Sequence, residues 1–208
     1  MTRSLFEQRL AVRLKQADVQ ASAIQFRQLE TYYELLRRWS DRVNLTSLPL
    51  DDHPDRTLDR LLVEPLVAAT LVSGARAFID LGSGGGSPGI PMKIAAPDAR
   101  LLLVEARERK SAFLREVVRV LALPDADVLT ARAEDVPSAY DQSADVISAR
   151  ALRLDDKLIH AVCRLLKPGG KLLTFGTRHE LTGFRRSAEK TAGASIVVAA
   201  WTRSREHS

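Results

Sequence analysis

Five glycines, Gly82, Gly84, Gly85, Gly86 and Gly89, stand within eight residues of this chain, directly after an apolar run from Ala77 to Leu81. The run reads as a buried strand, and glycines that dense forbid its continuation. Without Cβ atoms the backbone can turn tightly and press against a ligand. Pro88 is tolerated in the first turn of a helix, where its missing N–H costs nothing. The stretch from Phe78 to Pro91 therefore reads strand, glycine loop, helix. That arrangement makes a site for a nucleotide-sized ligand at a helix N-terminus.

The rest of the chain repeats the rhythm. Helices are predicted over about 4–16, 22–40 and 57–72, ahead of that first strand. In the second, Phe26, Leu29, Tyr33 and Leu36 keep a spacing of three and four and share a face. Tyr32 and Trp39 read as core or cap packing. Downstream, strands Leu101–Glu105, Asp127–Thr130, Ala144–Ala149 and Lys171–Phe175 alternate with helices Ser111–Leu121 and Leu154–Leu166. Lys167-Pro168-Gly169-Gly170 supplies the stop after the last helix. Strands alternating with helices mean an α/β fold, a doubly wound and mostly parallel sheet with ligands at the carboxyl ends of its strands. Residues 1–56 form a helical extension and residues 57–208 the sheet domain.

The net charge of +5 over 208 residues points to a polyanionic partner. A single cysteine, Cys163, excludes an internal disulfide and fits a reducing compartment. No stretch approaches a membrane span, and the first residues lack an apolar signal core. The expectation is a cytoplasmic protein with no membrane contact.

Two ligand classes compete for the glycine loop. Residues Gly84 to Gly89 fit the G-x-G-x-x-G fingerprint of dinucleotide folds, a weak signal on its own. Asp80, two positions before a G-x-G-x-G run, instead matches the pattern of class I S-adenosyl-L-methionine (SAM) methyltransferases, where the carboxylate lies near the cationic methionine end. Glu105 then ends the second strand, placed to hydrogen-bond a ribose. The spacing favours the methyl donor; both readings stay open on the loop alone.

Further pieces narrow the choice. Trp39 with Asn44-Leu45-Thr46, the run Asp80 to Pro91, Glu105 with Arg109-Lys110 and Phe113-Leu114, Arg132-Ala133-Glu134, and Ser148-Ala149-Arg150-Ala151 stand in that order. Together they resemble the GidB/RsmG family, methyltransferases of guanine N7 in 16S ribosomal RNA. The resemblance implies a class I methyltransferase fold, SAM as cofactor, and 16S ribosomal RNA or the small ribosomal subunit as partner. It implies Gly82, Gly84 and Ser87 lining the cofactor beside Asp80 and Glu105, Ala133 and Glu134 at the adenine edge, and Arg150 at the cofactor–substrate junction. A structural ion pair of Arg150 with Asp80 or Asp145 is the competing reading, as is a helix N-terminal acid for Glu134. No firm general base is expected, because N7 carries an exposed lone pair and needs no proton removed first. Nothing has metal-ligand spacing. Arg37, Arg38, Arg109, Lys110, Arg153 and Arg178 are the candidate RNA contacts.

The resemblance thins at two places. The family usually carries Arg-His-x-x-Asp-Ser where this chain reads Asp59 to Glu64, leaving the roles of that His and Asp without support here. Class I methyltransferases also end in a hairpin whose last strand runs antiparallel inside the sheet. After the strand Ile196–Trp201 only polar residues follow, so that last strand is expected to be missing or degraded, with Ile196–Trp201 pairing beside Lys171–Phe175 or lying at an exposed edge. Alternatives at this stage are a SAM enzyme of a protein or small molecule, and a non-catalytic RNA-binding relative.

Overall fold

A computed structural model describes residues 4–151, 154–176, 181, 183–192 and 196–203. The chain begins with two helices, α1 (Leu5–Gln16) and α2 (Ala23–Ser40). Ser4 accepts from the Glu7 amide, and Ser22 with Gln25 forms a reciprocal capping box, so each start is written in the sequence. A helical segment follows as α3 (Asp55–Leu58), a π-helical turn (Asp59–Val63) and α4 (Glu64–Leu71). Then come β1 (Ala77–Leu81), α5 (Gly89–Ala95), β2 (Arg100–Glu105), α6 (Glu108–Val120), β3 (Ala126–Thr130) and β4 (Ala144–Ala149). The order closes with α7 (Asp156–Leu165), β5 (Leu166–Phe175), β6 (Phe184–Ala192) and β7 (Ile196–Arg203).

The described residues form one sheet in the order β3-β2-β1-β4-β5-β7-β6. Strands β1 to β5 pair in parallel, and β7 runs antiparallel to both of its neighbours. Because side chains alternate across a strand, the sheet divides its apolar residues between two layers. Phe78, Leu101, Leu103, Val146 and Leu173 face a core shared with α1, α2, α4, α5 and α6. Ile79, Leu102, Val104, Ile147 and Leu172 face the other side, packed against Leu158, Val162 and Leu165 of α7. The strands are apolar on both faces because both are covered. Tyr32 and Tyr33 of α2 are fully buried and Trp39 packs on Phe113, so these rings belong to the core as expected. No helix among the described residues is long and apolar enough to cross a membrane.

Two expectations are corrected. The antiparallel strand inside the sheet is present: β7 itself fills that place, between β5 and β6. The strand absent from the sequence reading is β6, Phe-Arg-Arg-Ser-Ala-Glu-Lys-Thr-Ala, which is the sheet's edge. Edge strands carry charge that blocks further pairing, so β6 lacks the apolar run that marks a buried strand. Residues 204–208 lie outside the described residues. The second correction is that Lys167 to Gly170 belong to β5 rather than to a cap. They bulge out where the β4–β5 register shifts from Ala144↔Leu166 to Val146↔Lys171. Ile196–Trp201 does pair beside Lys171–Phe175, as one of its two predicted placements.

Candidate active site

The carboxyl ends of β1 to β4 open into a cavity of about 1200 Å³. Its floor is the glycine loop, Gly82 to Gly85 with Ser87. One wall is Val104 to Arg107 after β2, and another is Ala131 to Glu134 after β3. Arg150 and Ala151 close the side after β4, and Asn44 to Leu48 with Arg56, Arg60 and Leu61 come over from the N-terminal segments. Parallel topology brings the walls after β1 to β4 together, since every loop that follows a parallel strand emerges on the same edge.

The loop is held from several directions. Gly82, Gly84 and Gly86 all adopt left-handed backbone, φ of 68°, 53° and 90°. The Gly84 amide donates to Glu105 Oε2 at 2.9 Å, and the Arg107 amide donates to Oε1 of the same carboxylate at 2.9 Å. Glu105 therefore ties the β1 loop to the β2 loop while remaining on the cavity wall. Tyr32 reaches across from α2 and donates its hydroxyl to the Gly85 carbonyl at 2.7 Å. Burial pushes that phenol far above its ordinary range, so it stays a donor.

Asp80 takes a different place from the other loop residues. It is fully buried beneath the loop, off the cavity lining. Ser148 Oγ donates to its Oδ1 at 2.6 Å, whereas Oδ2 makes no hydrogen bond of good geometry beside Gly89. Burial pushes its carboxyl up to about 6, against the lowering influence of the Ser148 hydroxyl. Its contact with the cavity runs through the loop above it.

Arg150 lies on the lining and is also ion-paired, but with neither acid expected from the sequence. Asp145 is taken by Lys167 at 2.7 Å and by the Arg76 and Ala77 amides. The partner is Glu64, fully buried, whose Oε2 accepts from Arg150 Nη2 at 2.8 Å while Oε1 accepts from Arg60 at 3.0 Å. Arg150 Nη1 donates to the Arg60 carbonyl and to Ser87 Oγ, and the guanidinium lies 4.3 Å from the Phe175 ring centroid. Burial pulls the guanidinium down to about 10, with the Glu64 charge opposing, and it holds the Glu64 carboxyl above its usual value.

Proline explains why helix carbonyls are free for these bonds. In the π-turn the Glu64 amide donates to Asp59, five residues back. Pro65 has no N–H for Arg60 or Leu61. Arg60 O takes Arg150, and Leu61 O accepts from Ser87 Oγ at 2.8 Å. π-turns are frequent at functional sites.

Of the residues picked from the sequence, Gly82, Gly84, Ser87, Glu105, Ala133, Glu134 and Arg150 line one cavity. Glu134 sits in a short 3₁₀ turn, Ala133–Asp135, 3.8 Å from Arg132. Among the basic candidates, Lys110 lines the cavity, Arg37 pairs with Glu34 at 3.0 Å, and Arg38 and Arg109 are exposed away from it. Arg153 and Arg178 lie outside the described residues. Glu64 and Tyr32 were missed as site residues. The available signal for Glu64 was an acid inside the otherwise apolar run Leu61-Leu62-Val63-Glu64-Pro65-Leu66-Val67.

Among solved structures, a SAM dependent methyltransferase from Aquifex aeolicus superposes with a TM-score of 0.57 at 18% identity, over 73% of this chain and 94% of that one. The likeness shows the fold. The ribosomal RNA small subunit methyltransferase G of Xanthomonas campestris pv. campestris (strain B100) is 42% identical over 146 residues, 68% of this chain and 64% of the relative. The protein of that name from Neisseria gonorrhoeae (strain NCCP11945) is 34% identical over 142 residues, 68% of this chain and 66% of the relative. The matched stretch thus spans just under two thirds of those relatives' length. The profile described as GidB, rRNA small subunit methyltransferase G, matches residues 25–207. With that reach, from α2 through β7 and around every wall of the cavity, the chain belongs to the GidB family.

Proposed function

We propose that this chain transfers the methyl group of S-adenosyl-L-methionine to N7 of a guanine in 16S ribosomal RNA, and that it does so in the cytoplasm. The observation that carries the reading is the cavity itself: a bare glycine backbone and the Glu105 carboxylate on one side, a clamped arginine on the other. The residues fit the cofactor. A Cβ at Gly84 would meet only the Gly82 carbonyl, at 3.7 Å, so the loop leaves open space on its cavity side. Each Glu105 oxygen accepts one amide and keeps a lone pair for a ribose hydroxyl. The volume exceeds that of ordinary single-ligand pockets, roughly 300–1000 Å³, which leaves room for a base beside the cofactor.

When bound, the cofactor supplies an electrophilic methyl on a sulfonium. The chain's own residues have three tasks. Gly82, Gly84, Glu105, Ala133 and Glu134 hold the donor at fixed orientation. The N-terminal extension, residues 1–56, contributes Asn44 to Leu48 as a wall that excludes water. Arg150 and Ser87, locked to the helix that carries Arg60 and Glu64, form the surface against which the base aligns. Alignment and dehydration are what attack by an exposed lone pair needs.

Arg56, Arg107, Lys110 and Lys157 ring the cavity and have no ion-pair partner among the described residues. We assign them to the phosphates on either side of an unpaired or flipped guanine. The reading is tested by incubating the protein with SAM and small-subunit ribosomal RNA, free and assembled, and mapping N7-methylguanosine by chemical cleavage at the modified base. One modified guanine is expected. Donor binding with every guanine unmodified would remove RNA as the substrate.

A further inference from the structure

We propose that Glu64 sets the charge of the cavity wall at Arg150, so that a cationic sulfonium binds where two guanidinium groups already stand. The inference rests on the methyl-donor reading above and concerns what this chain does to favour that ligand over its neutral product.

The geometry isolates one carboxylate between two cations. Glu64 is fully buried, Arg150's side chain is 11% exposed and Arg60's is 35% exposed, and both guanidinium groups bond the same carboxylate. Arg150 cannot swing away from the site. Nη1 is held by a helix carbonyl and by Ser87, Nη2 by Glu64, and the flat face rests on Phe175. Only Nε lacks a partner among the described residues. A guanidinium fixed in this way presents a permanent positive charge to the lining. Without a counter-charge of its own it would repel a cation brought beside it.

Asp80 is the other acid beneath the loop, and it is fully enclosed, with Ser148 on one oxygen. Glu64 is the acid in direct contact with the lining arginine. A unit charge within roughly 10 Å, in surroundings between water and dry protein, changes the affinity of a charged ligand by on the order of tenfold. Glu64 is thus a positioning residue twice over. It fixes the Arg150 guanidinium and cancels one of the two guanidinium charges that it contacts.

SAM and S-adenosylhomocysteine separate these two roles, because they differ by one methyl group and one positive charge at sulfur. Isothermal titration of both ligands should show that Glu64→Gln lowers the ratio of SAM to S-adenosylhomocysteine affinity about tenfold. Arg60→Gln, which removes a cation from the same carboxylate, should raise that ratio. The double variant Arg60→Gln/Glu64→Gln restores the net charge and should return the ratio close to that of the wild type, even where both affinities fall. Glu64→Asp keeps the charge and should keep the ratio. If Glu64→Gln fails to fold, the Arg60→Gln and Glu64→Asp results still decide. Equal losses for both ligands in every variant would overturn the charge role and leave a structural one. A wild-type protein that binds neither ligand would overturn the methyl-donor reading itself, and this inference with it.

Discussion

The glycine loop contains two glycines that should fail in opposite ways, Gly84 and Gly89. A Cβ built on Gly89 would lie 2.7 Å from Leu103 Cδ2, 2.9 Å from Asp80 Oδ2 and 3.0 Å from Asp80 Cβ. Neither neighbour has room to yield: both are fully buried, and Asp80 is pinned by Ser148. Overpacking of this kind costs about 3 kcal/mol at the upper end, offset by up to about 1 kcal/mol from the better helix propensity of alanine. Gly89→Ala should therefore lose about 2 kcal/mol, a fall of roughly 4–8 °C in Tm for a domain of this size. Gly84 is the reverse case. Its φ of 53° lies where aspartate is tolerated among L residues, and its Cβ would meet only a carbonyl at 3.7 Å. Gly84→Asp should cost about 1 kcal/mol or less in stability, yet its side chain enters the cavity beside Glu105 and should weaken SAM binding by at least about a hundredfold, from its bulk and the cost of dehydrating its carboxylate beneath the ligand. Thermal melts of the ligand-free proteins and isothermal titration with SAM read the two effects separately. A Gly84→Asp protein that binds SAM normally, or one that unfolds before Gly89→Ala, would refute the assignment of the loop's two faces.

Asp80 makes stability depend on pH with a sign opposite to that of a salt-bridged acid. Its carboxyl is raised from 3.8 to about 6, so its contribution is fully present below about pH 4 and is lost as pH rises through about 6. The difference is worth about 3 kcal/mol, and it should disappear from denaturant titrations between pH 4 and 8 when wild type is compared with Asp80→Asn. Tyr32→Phe deletes the 2.7 Å bond to Gly85 and should cost about 1 kcal/mol, with faster amide exchange confined to the glycine loop; unchanged exchange there would remove Tyr32 from the site. Replacing Arg56, Arg107, Lys110 and Lys157 together by glutamine should flatten the salt dependence of RNA binding by about three units of log–log slope. An unchanged slope would place the phosphates elsewhere.

The sequence made legible those parts whose physics is local. Strands β1, β2 and β4 are covered on both faces, so each is a mostly apolar run, and the caps at Ser4 and Ser22 mark where helices begin. The glycine loop and Glu105 were equally visible, because a ligand-facing turn at a strand tip is built from consecutive residues. β6 escaped because an edge strand is charged by necessity. The expectation of a missing last strand followed from taking Ile196–Trp201 for its predecessor, when the hairpin's other member, β6, was the one without apolar marking. Arg150 was found, but its partner stands 86 positions away, and Tyr32 meets Gly85 across 53. No local pattern encodes such distances; the parallel topology creates them.

Glu64-Pro65 is where the local rules and the finished structure part company. Judged by helix propensity, an acid and a proline inside the run from Leu58 to Leu71 are two faults in succession. The acid would be buried without water, and the proline would strip carbonyls of their donors. In the folded chain each fault answers a need of the cavity wall at Arg150. The buried carboxylate receives two guanidinium groups, and the carbonyls of Arg60 and Leu61 receive Arg150 and Ser87. Substituting Pro65 by alanine would supply an N–H at the position that leaves Arg60 and Leu61 free, and so set the helix in competition with the site for the same acceptors. The sequence breaks its own secondary-structure rules at one point, and the demands that follow are met by Arg60 one turn back and by Ser87 and Arg150 from loops more than twenty residues away.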